Sequence, residues 1–243
     1  MTLNIKHTLR IIAGGMLLTA APAMAGISAD ATRVIFQAND EAKGKSIGLT
    51  SSTSSLSPYL VKTQVTQDVQ GQQTQVPFVT TPSLFRLEPG STNQVLMMKT
   101  PGSLPQDRES LFYFRAVAMP AGAASTTSPA PAVAGTLQVA TATVIKLFYR
   151  PGGLAMPQPQ AMSKLQFSAE KQGVKVSNPT PYYITLNRLS IGNTPVKLRV
   201  EDGSSMIAPY SHALYPGTPR QGRVEWTAIN DYGGMEAFNG TVQ

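Results

Sequence analysis

The chain has 243 residues, with 20 lysines and arginines against 13 acids, and no cysteine. The lack of cysteine excludes disulfide staples, thiolate metal sites and cysteine nucleophiles. The formal charge of +7 is scattered along the sequence, without the dense basic patch and interleaved aromatics of a nucleic-acid binder, so no nucleic-acid partner is expected.

Residues 1–25 read as a signal peptide. Lys6 and Arg10 form a basic start, Ile11 to Ala20 is apolar but too short to span a bilayer, and Ala23-Met24-Ala25 is a small-x-small cleavage pattern. The mature chain is expected to begin at Gly26 and to be exported. Loss of Lys6 and Arg10 lowers the charge from +7 to +5. No later stretch reaches the ~18 consecutive apolar residues of a membrane span, so no stable membrane insertion is expected.

From Gly26 onward, short apolar runs alternate with turn signals at intervals of roughly 8–12 residues, the pattern of a β-sandwich. Seven strands are expected in the first half: Thr32–Gln37, Ser46–Thr50, Tyr59–Thr66, Ser83–Leu87, Gln94–Lys99, Ser110–Met119 and Thr136–Tyr149. Residues 121–135 are rich in Ala, Ser, Thr and Pro and uncharged, and read as a flexible loop before the seventh strand. Pro151-Gly152-Gly153 ends that strand and marks the domain boundary, giving domains at 26–150 and 151–243. Further strands are expected at Lys164–Ser168, Gly173–Ser177, Tyr183–Ile191, Pro195–Val200 and Arg223–Ile229. No sustained helical period occurs. The expected fold is all-β, with two sandwich domains.

Chemistry is sparse. His7 lies in the leader, so His212 is the one histidine after residue 25, and it is expected in a loop flanked by Tyr210 and Tyr215. There is no G-x-S-x-G elbow, phosphate-cradling loop or H-E-x-x-H. No enzyme activity, metal or cofactor is expected. What stands out is charge inside apolar strands: Arg33 in Thr32-Arg33-Val34-Ile35-Phe36, and Lys146 and Arg150 in Thr143-Val144-Ile145-Lys146-Leu147-Phe148-Tyr149-Arg150-Pro151. Buried charges need partners, so this set implies internal ion pairs, an anion site, or both.

Several segments resemble the periplasmic chaperones that assemble pili and fimbriae by the chaperone–usher route. They are Thr32–Phe36, Thr81-Pro82-Ser83-Leu84-Phe85-Arg86-Leu87, Leu104–Phe112, Ile145–Pro151, Asn178-Pro179-Thr180-Pro181-Tyr182-Tyr183 and Ile229-Asn230-Asp231-Tyr232-Gly233. The resemblance implies two immunoglobulin-like domains set at an angle, with a cleft between them, working in the periplasm. Arg33 and Lys146 would hold the C-terminal carboxylate of a pilus subunit, since a carboxylate can accept from both. The seventh strand, 136–149, would be lent to the subunit, inserting Leu137, Val139 and Thr141. Glu109, Arg150 and Asp231 would form inter-domain ion pairs of structural purpose. The partners implied are pilus or fimbrial subunits and an outer-membrane usher, with self-association of the free chain through its exposed donor strand.

Three departures bear on the details. Arg115 and Ala116 replace the Asn and aliphatic residue usual after Leu111-Phe112-Tyr113-Phe114, and Thr141 and Thr143 stand where large aliphatics are usual. Lys146 also has the opposite parity to Leu137 and Val139, which strict alternation puts on the other face. Either a bulge or sharp twist between Thr141 and Ile145 is expected, or the inserted set is one residue out. Two other classes compete. A pilus subunit would carry an N-terminal donor extension and often a disulfide, and a sandwich enzyme would need a catalytic constellation.

Overall fold

The computed structural model describes residues 26–121, 139–200 and 203–243. The leader, Leu137 and nearly all of the 121–135 loop fall outside them. Nine strands build the first unit: β1 (Ile27–Ala29), β2 (Arg33–Gln37), β3 (Lys45–Ser51), β4 (Tyr59–Thr66), β5 (Phe78–Thr81), β6 (Leu84–Leu87), β7 (Thr92–Lys99), β8 (Ser110–Pro120) and β9 (Thr141–Arg150). They form two sheets, β1-β3-β7-β5 and β2-β9-β8-β4-β6. The first strand position is therefore split, β1 belonging to one sheet and β2 to the other. Between the sheets lies a core that includes Val34, Phe36, Leu49, Val61, Phe114 and Leu147.

The second unit begins with a short helix, α1 (Gln158–Ala161), followed by β10 (Gln166–Glu170), β11 (Gly173–Asn178), β12 (Ile184–Ile191), β13 (Thr194–Pro195), β14 (Met206–Ile207), β15 (Ser211–Pro216), β16 (Arg223–Ile229) and β17 (Met235–Thr241). Its sheets are β10-β11-β15 and β13-β12-β16-β17, with β14 on β12. Their core centres on Trp226, whose Nε1 donates to the Met162 carbonyl at 3.1 Å. The protein is all-β, with two immunoglobulin-like sandwiches.

The sequence pattern explains the strands that matter. In β8, Phe112, Phe114, Ala116 and Ala118 point inward, with half-buried side chains between them. In β9, Ile145, Leu147 and Tyr149 enter the same core. Phe148, on the opposite face, is also buried, against Tyr183 of the second unit with ring centroids 5.7 Å apart. That contact is why the segment reads as buried on both faces.

Four expectations need correction. Pro195–Val200 is not a strand beyond Pro195; Val196 and Leu198 pack on the core from an irregular segment. His212 lies on β15 opposite Ser177, exposed, and not in a loop. Strands β1, β5, β14, β15 and β17 were not expected. The pairing of β8 with β9 is unbroken from Ala118 opposite Thr141 to Ser110 opposite Tyr149, so there is no bulge between Thr141 and Ile145.

The Asn178-Pro179-Thr180-Pro181 turn is fixed from within. Asn178 is buried; its Nδ2 donates to the carbonyls of Tyr182 (2.7 Å), Ile207 (3.2 Å) and Ala208 (3.0 Å). Its Oδ1 accepts from the Thr180 amide (3.1 Å) and hydroxyl (2.7 Å). Asn178→Ala strands several buried polar groups at once, so it is expected to cost ~2–4 kcal/mol. For a domain of this size that lowers the melting temperature by about 10–25 °C, measurable by thermal denaturation.

Candidate binding cleft between the domains

Strand β2 runs parallel to β9, with Arg33 opposite Lys146 and Gln37 opposite Arg150. This register sets two cations side by side at the point where β2 begins. Arg33 is partly buried. Its NH1 group donates to the Ile229 carbonyl of the second unit at 3.1 Å, and its guanidinium lies 5.9 Å from the Phe148 ring centre. Its Nε is buried and has no hydrogen-bond partner. Burial lowers the Arg33 pKa, and only the more distant Asp231 and Glu109 oppose this.

Lys146 is less well compensated. Burial, and then the neighbouring Arg33 charge, push its pKa down to about 8. Among the described residues no carboxylate lies within ion-pair distance of either Lys146 or Arg33; the seven ion pairs there involve other groups. Two half-buried cations in register, without a counter-ion, make an electrostatic site suited to an anion.

Arg150, four residues along β9, is the opposite case. Its guanidinium donates to Glu109 Oε1 (Nε, 2.8 Å) and to both Asp231 oxygens (2.7 and 2.8 Å), and stacks 5.0 Å from the Tyr182 ring centre. Burial works against its charge, yet the Asp231 hydrogen bonds and the Glu109 carboxylate raise its pKa above the ordinary value. Glu109 is 4% exposed, and its other oxygen accepts from the Tyr183 amide at 2.9 Å. Burial raises the Glu109 pKa to about 6 although Arg150 opposes the shift. Glu109 precedes β8 in the first unit, Asp231 follows β16 in the second, and Arg150 stands between them.

Asp231 belongs to a turn, 230–234, that is docked on the first unit. Asn230 Oδ1 accepts from the amides of Tyr232 (3.1 Å) and Gly234 (2.8 Å), and Asn230 Nδ2 donates to Glu236 (2.9 Å). Gly233 has φ +83°, and a Cβ there would lie 2.6 Å from Thr32 Oγ1. The left-handed backbone and this close approach both favour glycine here. The docking of this turn, the Ile229 carbonyl and the Phe148–Tyr183 contact are parts of the cleft that strand-by-strand reading does not reveal.

Beyond Lys146 the edge of β9 is open. Strand β2 pairs only with Lys146–Arg150, and no strand among the described residues pairs on that side of Thr141–Ile145. Thr143 Oγ1 donates to the Ile27 carbonyl of β1 at 3.3 Å, without a strand pairing between β1 and β9. Thr141 is exposed, and Val139, 60% exposed, precedes the strand. Odd positions of β9 thus face the core at Ile145, Leu147 and Tyr149 but lack cover at Thr141. Among the described residues there is no cluster of three or more His, Cys, Asp or Glu that could hold a metal, and no helix is long and apolar enough to cross a membrane.

Comparison with known proteins agrees with this architecture. The family described as "Pili and flagellar-assembly chaperone, PapD N-terminal domain" matches residues 26–155, and "Pili assembly chaperone PapD, C-terminal domain" matches residues 160–239. The chain is 37% identical over 211 residues to the probable fimbrial chaperone protein ElfD of Escherichia coli K12, covering 86% of this chain and 83% of that one. Among solved structures, the E. coli chaperone DraB matches with a TM-score of 0.75 and 30% identity, over 90% of this chain and 97% of that one. A chain of the complex of Salmonella enterica SafA pilin with the SafB chaperone matches with a TM-score of 0.73 and 26% identity, over 90% and 98%.

Proposed function

The chain belongs to the PapD family of pilus-assembly chaperones, a non-enzymatic family, and from that membership we propose that it anchors the C-terminal carboxylate of a pilus subunit on Arg33 and Lys146. The observation that carries this reading is the pair of adjacent cations without a counter-ion, beside an open strand edge. Arg150 is a poor rival for the ligand, because two carboxylates of this chain already occupy it. A similar chaperone was solved together with a pilin, which supports subunits as partners here.

The rest of the function follows from the open edge. The subunit adds its terminal strand along Thr141–Ile145, and the 136–149 segment lends Leu137, Val139 and Thr141 to the incomplete subunit core. No bulge is needed for this. Side chains on the core face of β9 become available wherever the strand overhangs its own sandwich. The chain works in the periplasm after removal of residues 1–25 and passes its subunit to an outer-membrane usher. Without a subunit, the same edge and Val139 favour self-association. Glu109, Arg150 and Asp231 hold the domains at the angle that shapes the cleft.

Periplasmic co-expression with a candidate subunit tests the reading: a one-to-one complex is expected, and a subunit that stays uncaptured and degraded speaks against it. A pH dependence is also expected. A bound carboxylate raises the Lys146 pKa above its free value of about 8, so the complex holds more protons than the free partners above that pH. Affinity is then level below about pH 7 and falls by ~10-fold from pH 7 to 9. Lys146→Arg, which does not titrate in this range, should flatten that slope in a calorimetric titration.

A further inference from the structure

We propose that Tyr232 reads the last side chain of the bound subunit, favouring an aromatic or large apolar terminal residue. The inference rests on the carboxylate-anchor reading above and extends it from the terminal charge to the residue that bears it.

Tyr232 is 96% exposed, which is unusual for a tyrosine on a turn so firmly held. Its own amide is bound by Asn230, its neighbour Asp231 by Arg150, and Gly233 abuts Thr32. The backbone carrying the ring is therefore already ordered, and little further entropy is lost when a partner covers it. Among the described residues nothing uses the ring: its side chain has no hydrogen bond or ring contact there, and it belongs to neither core.

Its position gives the occupant. A strand laid on the open edge of β9 ends where β2 begins, because β2 fills the edge from Lys146 onward. Arg33, at that junction, is tied to the Ile229 carbonyl, three residues before Tyr232. The turn carrying Tyr232 docks on Thr32, one residue before Arg33. A chain end held by Arg33 and Lys146 therefore arrives beside this turn. Met235, 64% exposed and paired with Ile229 across the hairpin, adds a polarisable apolar neighbour. Aromatic and thioether groups around a chain terminus discriminate by side-chain size and aromaticity, while the two cations bind any carboxylate.

The test uses the full mature chain and short soluble synthetic peptides of alternating valine and threonine. These end in phenylalanine or glycine, each as free acid or amide. Wild type is expected to bind the phenylalanine acid about 5–10-fold more tightly than the glycine acid, the range of an aromatic pair. Tyr232→Ala should abolish that preference and Tyr232→Phe should keep it, with the melting temperature of both unchanged. If Tyr232→Ala keeps the preference, the inference is overturned while the anchor stands. If wild type binds amides as well as acids, or binds neither acid, the anchor itself fails and the inference with it.

Discussion

Lys146→Ala is expected to weaken subunit binding by roughly 30- to 3,000-fold, or ~2–5 kcal/mol. A subunit carboxylate brought into the cleft gives up water, and the loss is repaid only if both cations meet it. With Lys146 absent, Arg33 remains, but its NH1 group is already committed to Ile229. Arg33→Ala should fall in the same range and also lose the link to the second domain, so its melting temperature drops slightly. For Lys146 the stability effect has the other sign. Its folded pKa of about 8 lies below the ordinary lysine value of 10.5, so the unfolded chain binds more protons between those values. Free-chain stability from this group therefore rises as pH climbs from 8 to 10.5, and at neutral pH the charge is a burden. Lys146→Met should make the free chain more stable while impairing capture. Co-elution with a subunit, together with thermal denaturation, separates the two effects. Complexes that survive in both Lys146→Ala and Arg33→Ala within threefold of wild type would end the anchor reading.

Arg150→Ala is expected to destabilise the protein by ~3–5 kcal/mol, because it leaves the buried Glu109 side chain without its cation. The loss should depend on pH. The Glu109 pKa of about 6 is already above the ordinary value of 4.5, so the folded form takes up its proton first as pH falls. Stability from this group is greatest below pH 4.5 and declines as pH rises through 6. Without Arg150 the carboxyl is driven higher still, so the deficit should be large at pH 7 and shrink towards pH 5 in thermal melts. Glu109→Gln in the Arg150→Ala background should recover part of the loss, since an amide oxygen can still accept from Tyr183. A deficit that is the same at both pH values would assign the effect to lost packing on Tyr182 instead.

The parts of the fold legible in the sequence are those where one face is buried and the other is not. Strand β4 alternates from Tyr59 to Val65 and spans Tyr59–Thr66 as its pattern suggests. Lys146 and Arg33 stand out because each interrupts an apolar run. Strands β15 and β17 were not legible because their burial is slight and a glycine or proline sits within or at the end of each. The segment after Pro195 misled for the converse reason: Val196 and Leu198 alternate and face the core, but lie outside any ladder. The ion-pair group spans Glu109, Arg150 and Asp231, and no local pattern joins residues so far apart; only the likeness to a family paired them. Strand parity misled as well, because alternation assigns a face and says nothing of where the covering sheet ends.

The point at which β2 starts also sets a direction. It lies parallel to β9 and fills that edge from Lys146 to Arg150. Any strand whose terminal carboxylate reaches Arg33 from the open side must travel the same way, tail to head with β2. Under the anchor reading, a guest strand seated in this polarity would be held by a ladder slightly weaker per residue than an antiparallel one.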